Sequence, residues 1–279
     1  MQSEDQYVRL LSVLLRVVEA NRGLPAGEDD RILDAEGLAQ KCVFHACSVL
    51  YLLRSTRLPE IGANFFDPAS VNVLGRAALE AFLVFHYIFV MPSSESEKDL
   101  RYFSWVLADL LVKQSFPVQS PEGKKILERE RLHIRSLKEK LQANPYFQNL
   151  TSKQQKRLLN EGVWRLQSWT SIALSAGLNR THADAFYRYL CSYAHAGSVS
   201  VVQLRQAQTA EGQRSLFAAT MGVVMIVMAY MVKAYCAVFP RSQAALQKDQ
   251  SGALLVDQWV QIGATSLDEV SIDWEEIDS

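Results

Sequence analysis

Glycine and proline are scarce in this chain, 13 and 8 among 279 residues, against roughly 12% together in an average protein. A sandwich or barrel needs a turn every ~8–12 residues, and the residues that make such turns are missing. That excludes most all-β architectures. Cysteine is scarce as well. Cys42, Cys47, Cys191 and Cys236 form no C-x-x-C pair, so a disulfide framework is not expected and a reducing cytoplasm fits. Net charge is almost nil: 29 basic and 30 acidic residues leave −1. A strongly basic nucleic-acid coat and a highly charged disordered chain are thereby excluded. No G-x-x-x-x-G-K-[ST], G-x-G-x-x-G or G-x-S-x-G occurs, which leaves P-loop, Rossmann and hydrolase-elbow chemistry without support. The start, Met1-Gln2-Ser3-Glu4-Asp5-Gln6, is acidic and polar, unlike a secretory signal.

What is present is helical spacing. Leu10, Leu11, Leu14, Leu15 and Val18 follow the Ser3–Gln6 capping box on one stripe. A second helix is expected from about Asp29 to Arg57, then a connection with Pro59, Gly62 and the exposed-looking pair Phe65-Phe66. Asp67-Pro68 supplies an N-cap followed by proline at the first helical position, for a helix reaching Met91. Further starts fall at Ser94, Ser120, Thr151, Trp164, Thr181, Thr209 and Leu254. Only Ser198–Leu204 resembles a strand, and a lone strand has nothing to pair with. The expectation is an all-α multi-helix bundle of about eight to ten helices. Residues 1–240 would form a single domain, and 241–279 a polar linker, a short amphipathic helix and an acidic tail.

Eighteen uncharged residues, Ser215 to Val232, meet the lower limit for a membrane-spanning helix. No aromatic belt or basic flank marks their ends, so they read as a central helix surrounded by others. Charge, although it cancels, is segregated. Between Glu122 and Arg165 eleven bases face five acids, whereas seven acids and no base follow from Asp257 onward. Lys124, Lys125, Arg131, Arg135, Lys138, Lys153, Lys156 and Arg157 are candidate phosphate contacts for RNA. The bland alternative is a solvated helix face. Trp274 and Ile277 within the acidic run suggest an anchored segment at residues 265–279, which would either cover the basic helices or engage a protein partner.

The most informative passage runs from Tyr187 to Gly197. Arg188 and His195 are seven residues apart, ~20° out of line on a helix, with Cys191 between them on a neighbouring track. A histidine at a helix C-terminus can exchange a proton near neutral pH, and an arginine gives a phosphate a fixed fork. Together they suffice to drive attack on an RNA phosphodiester by its own 2′-OH. The alternative is a helix-capping histidine and an ion-paired arginine. Upstream, Arg76 and Glu80 stand four apart in an apolar stretch, either fastening the core or orienting Arg188 or His195. Cys42-x2-His45-x-Cys47 lacks a second ligand cluster for zinc. Glu130-x-x-His133 lacks the second such pair that a di-iron bundle needs. Neither a metal nor a cofactor is expected.

The R-x6-H spacing from Arg188 to His195, in an all-helical chain, resembles the signature of the HEPN superfamily. More closely, Tyr187, Arg188, Leu190 and His195, with Arg76 and Glu80, resemble an uncharacterised bacterial family pairing R-x-x-x-E with Y-x-x-L-S-x-x-x-H. Cys191 stands where that pattern has serine, and Tyr189 follows the arginine where HEPN nucleases have a small polar residue. The resemblance covers roughly residues 68–240. It implies a helical, commonly dimeric protein, many relatives being metal-independent ribonucleases of toxin–antitoxin or phage-defence systems. His195 and Arg188 would be the active pair, lined by Tyr187 and Cys191 and supported by Arg76 and Glu80. Two other readings compete: a non-enzymatic helical interaction protein, and a membrane-associated protein using residues 215–232.

Overall fold

The computed structural model of the chain describes residues 2–23 and 29–265. Its elements begin with α1 (Gln2–Glu19), α2 (Arg31–Leu53), β1 (Thr56–Leu58), β2 (Ala63–Phe65), α3 (Pro68–Phe85) and α4 (Glu95–Lys113). They continue with α5 (Pro121–Ala143), α6 (Pro145–Gln148), α7 (Ser152–Asn160), α8 (Trp169–Ser175) and α9 (Arg180–Ala194). The last are α10 (Ser198–Gln206), α11 (Ala210–Val238), α12 (Pro240–Gln247) and α13 (Gln250–Ala264). The protein is all-α apart from one small antiparallel hairpin, in which Thr56 is opposite Phe65 and Leu58 opposite Ala63.

Thirteen helices among the described residues exceed the expected eight to ten. Three short ones make the difference. α6 is a single turn begun by Asn144, whose side chain accepts from the N–H groups of Tyr146 and Phe147. α12 and the start of α13 occupy the stretch read as a polar linker. α10 corrects the strand-like reading of Ser198–Leu204. With no neighbouring strand, its backbone groups are satisfied only by coiling, and three valines, Val199, Val201 and Val202, are left exposed. The hairpin is the converse correction. α2 stops at Leu53 because Ser55 takes a left-handed conformation (φ 78°), and the following residues pair as strands.

The contacts divide the chain into two compact units. The first unites residues up to His86 with those from Trp169 onward. Its centre is α3 and α11, which lie against each other, with α1, α2, α9 and α13 packed around them. Asp67 accepts from the Ser70 N–H to start α3, with Pro68 in its first turn. Asn72 and Thr220, both 0% exposed, bridge α3 and α11 through a 2.5 Å hydrogen bond donated by the Thr220 hydroxyl. Gly75 then allows the closest approach: a Cβ there would lie 2.7 Å from the Thr220 methyl and 3.6 Å from Leu190 of α9. Arg9 and Arg16 of α1 both pair with Asp249, the N-cap of α13.

The second unit, Tyr87–Ser168, packs α4 to α7 around Leu100, Leu107, Leu110, Leu137, Leu141, Phe147 and Leu158. Its one buried ion pair among the described residues joins Glu97 and Arg101. Arg101 also donates to the Tyr87 carbonyl (2.7 Å) and lies over the Tyr87 ring (4.3 Å). The Ser93 N–H and hydroxyl both donate to the other Glu97 oxygen at 2.9 Å.

Two helical stretches, Pro68–Val90 and Ala210–Val238, are long and apolar enough to cross a membrane. In each, 67% of the most apolar window is buried inside the protein. The acidic run from Asp268 on, with Trp274 and Ile277, lies outside the described residues. Asp257 is on α13 and pairs with Lys233 at 2.5 Å.

Candidate functional site

Two helices of the first unit build the site. α3 carries Arg76 and Glu80 one turn apart; α9 carries Tyr187 and Cys191 one turn apart and ends at His195. Gly75, by letting α3 close on α9 and α11, sets the neighbouring Arg76 against the end of α9. The end of α9 is itself specified. Ala196 adopts a left-handed conformation (φ 52°), and the Gly197 N–H reaches back to the Ser192 carbonyl at 2.7 Å. This is a Schellman stop with alanine in the position glycine usually takes. Gly197 starts α10 directly afterwards, and a side chain there would press within 3.2 Å of the Ser192 carbonyl oxygen. His195 is therefore held at a fixed corner between two helices.

The arginine at that corner is Arg76. Its Nη1 lies 2.9 Å from His195 Nε2, across 119 residues of sequence, while its Nε donates to Glu80 Oε1 at 3.0 Å. Its guanidinium carbon is 5.7 Å from the centre of the Tyr187 ring. Burial opposes the charge on Arg76, but the adjacent Glu80 carboxylate outweighs it and holds the guanidinium pKa above its ordinary value. A guanidinium can only donate, so Nε2 of His195 accepts and the ring proton of this arrangement sits on Nδ1. Burial, followed by the hydrogen-bonded Cys191 thiol and the Glu80 charge, pushes the Tyr187 phenol up despite the opposing pull of Arg76. Tyr187 thus remains a neutral hydroxyl at neutral pH.

Five of the six expected site residues, Arg76, Glu80, Tyr187, Cys191 and His195, therefore form one connected cluster. Arg188 is outside it: exposed, with no hydrogen bond or ion pair among the described residues. The sequence places Arg188 and His195 on one helical face, but the contact His195 makes is to a different helix. A signal for it exists in the sequence. An arginine in the apolar stretch Val71–Met91 must find partners once folded, and Glu80 leaves part of its donor fork unused.

The candidate RNA contacts lie on the second unit. On α5, Lys124, Lys125 and Arg135 are exposed, as are Lys153, Lys156 and Arg157 on α7, and none makes an ion pair among the described residues. Arg131 donates to Gln114 (3.0 Å), and Lys138 to Asn160 (3.1 Å). Cys42 and Cys47 fall on different faces of α2, one buried and one exposed. Compared with protein-family models, with curated proteins and with solved structures, the chain matches none of them, so its HEPN resemblance rests on the residues quoted above.

Proposed function

We propose that the chain is a HEPN-like, RNA-directed protein that cleaves RNA without a metal ion, as an effector of bacterial phage defence or a toxin system. One observation carries the reading: the 2.9 Å contact between Arg76 Nη1 and His195 Nε2 at an exposed helix end. A phosphate arriving there offers Arg76 a stronger, charged acceptor than imidazole. As the guanidinium turns to the phosphate, Nε2 is released as a general base. Nε2 takes the proton of the ribose 2′-OH, the 2′ oxygen attacks phosphorus, and the P–O5′ bond breaks. The 5′ oxygen leaves with a proton from water or the imidazolium, giving a 2′,3′-cyclic phosphate. Arg76 stabilises the charge that develops on the phosphoryl oxygens, and Glu80 holds its Nε. Exposed Arg188 serves as a second phosphate contact, and Tyr187 and Cys191 form the wall.

The same proposal includes a cytoplasmic homodimer, an RNA-holding surface on the basic helices of the second unit, and a protein partner for residues 265–279. A second reading, a non-enzymatic interaction protein, draws on a separate observation. Phe44 and Tyr51, seven residues apart on α2, are 65% and 74% exposed, as a partner-binding face would leave them. The experiment is cleavage of RNA in EDTA by wild type, Arg76→Ala and His195→Ala. Wild-type cleavage lost in both variants supports the nuclease; no wild-type cleavage on any RNA substrate leaves the interaction reading.

A further inference from the structure

The first unit also holds a cavity of about 1010 Å³ that the Arg76–His195 cluster does not touch. It opens between the end of α2, the β1–β2 hairpin and the first three turns of α11. Its size lies at the upper end for small-molecule sites, so an inorganic anion would leave most of it empty.

The lining is cationic. Among the described residues Arg54, Arg57 and Arg214 face it, against the single carboxylate of Glu4. Glu4 is engaged by Arg54 at 3.0 Å. Arg57 and Arg214 make no ion pair among the described residues. Two unneutralised guanidiniums in one concavity select an anion, and their planar forks fit a phosphate.

The lining is also aromatic, and its rings are fixed. Phe66 packs edge-on against Phe217 (centroids 5.7 Å apart), and its N–H donates to Gln213 Oε1 at 3.3 Å. Arg214 lies 4.7 Å over the Phe66 ring. The outer plane of the Arg214 guanidinium, backed by the Phe66 ring, gives a flat π-system a surface to stack on. Ser55, in the left-handed region (φ 78°), makes the turn that separates Arg54 from Arg57. A non-glycine residue held there marks a backbone shaped against its own preference.

From these features we infer that the cavity binds a nucleotide: its base stacks on the Arg214 plane that Phe66 backs, and its phosphate is held by Arg57 and by the N–H edge of Arg214. The nucleotide is either a free mononucleotide or one residue of a nucleic-acid strand. This site stands apart from the proposed nuclease chemistry, since none of its residues belongs to the His195 cluster.

The test is titration of the full-length chain with AMP, ATP, adenosine, inorganic phosphate and a six-nucleotide single-stranded DNA, followed by calorimetry. Either AMP and ATP or the strand should bind saturably, with adenosine and phosphate each at least about tenfold weaker. Arg57→Ala and Arg214→Ala should each weaken binding about tenfold or more while melting like wild type. Mononucleotides that bind more tightly than the strand identify a free ligand; the reverse order identifies a strand-binding site. Absence of saturable binding by every probe, binding unchanged in both arginine variants, or phosphate binding as tightly as AMP each overturns the inference. RNA cleavage, read in a separate assay, reports on His195 and not on this cavity.

Discussion

Replacing Ala196 by glycine should stabilise the protein, and replacing the next residue, Gly197, by alanine should destabilise it. Ala196 sits at φ 52°. A left-handed conformation costs an L-residue about 1–2 kcal/mol, and glycine escapes that cost but loses about 0.4–1 kcal/mol of it to its freer unfolded chain. The central difference is a net gain of about 0.8 kcal/mol. For a domain of this size that is a rise of about 1–4 °C in melting temperature. At Gly197 the balance reverses. An added Cβ would lie 2.7 Å from Ser192 Oγ, 3.2 Å from the Ser192 carbonyl oxygen and 3.3 Å from its Cα. The hydroxyl can rotate away, but the backbone atoms belong to the turn that ends α9. Overpacking of this kind costs about 1 kcal/mol or more. Thermal melts followed by far-UV circular dichroism, with urea titrations, read both effects. A lower melting temperature for Ala196→Gly, or a higher one for Gly197→Ala, would refute the account of how His195 is held.

Other outcomes follow from the same structure. Thr220→Val should cost about 1–3 kcal/mol, because the buried Asn72 Oδ1 loses its donor; denaturant titration reads it, and Thr220→Ser should recover most of it. Arg101→Met should cost about 3–5 kcal/mol by leaving Glu97 buried without its partner, and less in combination with Glu97→Gln. Burial works against the charge on Glu97, but its bonds from Ser93 and the Arg101 charge prevail and hold its pKa below the ordinary carboxylate value. Its contribution is therefore complete above pH ~4.5 and is lost as pH falls through the depressed value. Glu97→Gln should flatten that acid limb of stability. Glu80→Gln should slow RNA cleavage about 10- to 100-fold at saturating RNA, the equivalent of a charge-assisted hydrogen bond of ~1.5–3 kcal/mol. Its melting should stay near that of wild type; equal loss of fold and rate would make Glu80 a core fastener only.

Many helix boundaries were legible where a side chain caps them. Asp67, Ser94, Ser120, Thr151 and Thr209 each accept from a backbone N–H two or three positions into the helix that follows. Other elements escaped the sequence, among them α6 and the first turn of α13, although Asn144 and Asp249 cap them. α10 starts from Gly197, with no capping side chain, and its alternating valines carry a strand's pattern. The entry to the hairpin is set by Ser55, a residue that gives no warning of a left-handed backbone. At the site, Arg76 and Glu80 could be picked out because polar groups in an apolar helix must be matched, and Tyr187, Cys191 and His195 through the R-x6-H spacing and the resemblance it carries. Which arginine meets His195 could not. Helical spacing relates Arg188 to His195, whereas the contact with Arg76 depends on how α3 and α9 pack, 119 residues apart.

The central claim is that His195 and Arg76 act together on an RNA phosphodiester. The most direct test incubates purified chain with RNA in EDTA and compares wild type with His195→Ala. The account predicts cleavage by wild type, products ending in 2′,3′-cyclic phosphate, and none from the variant. Cleavage that survives in His195→Ala, or is absent from wild type, would contradict it.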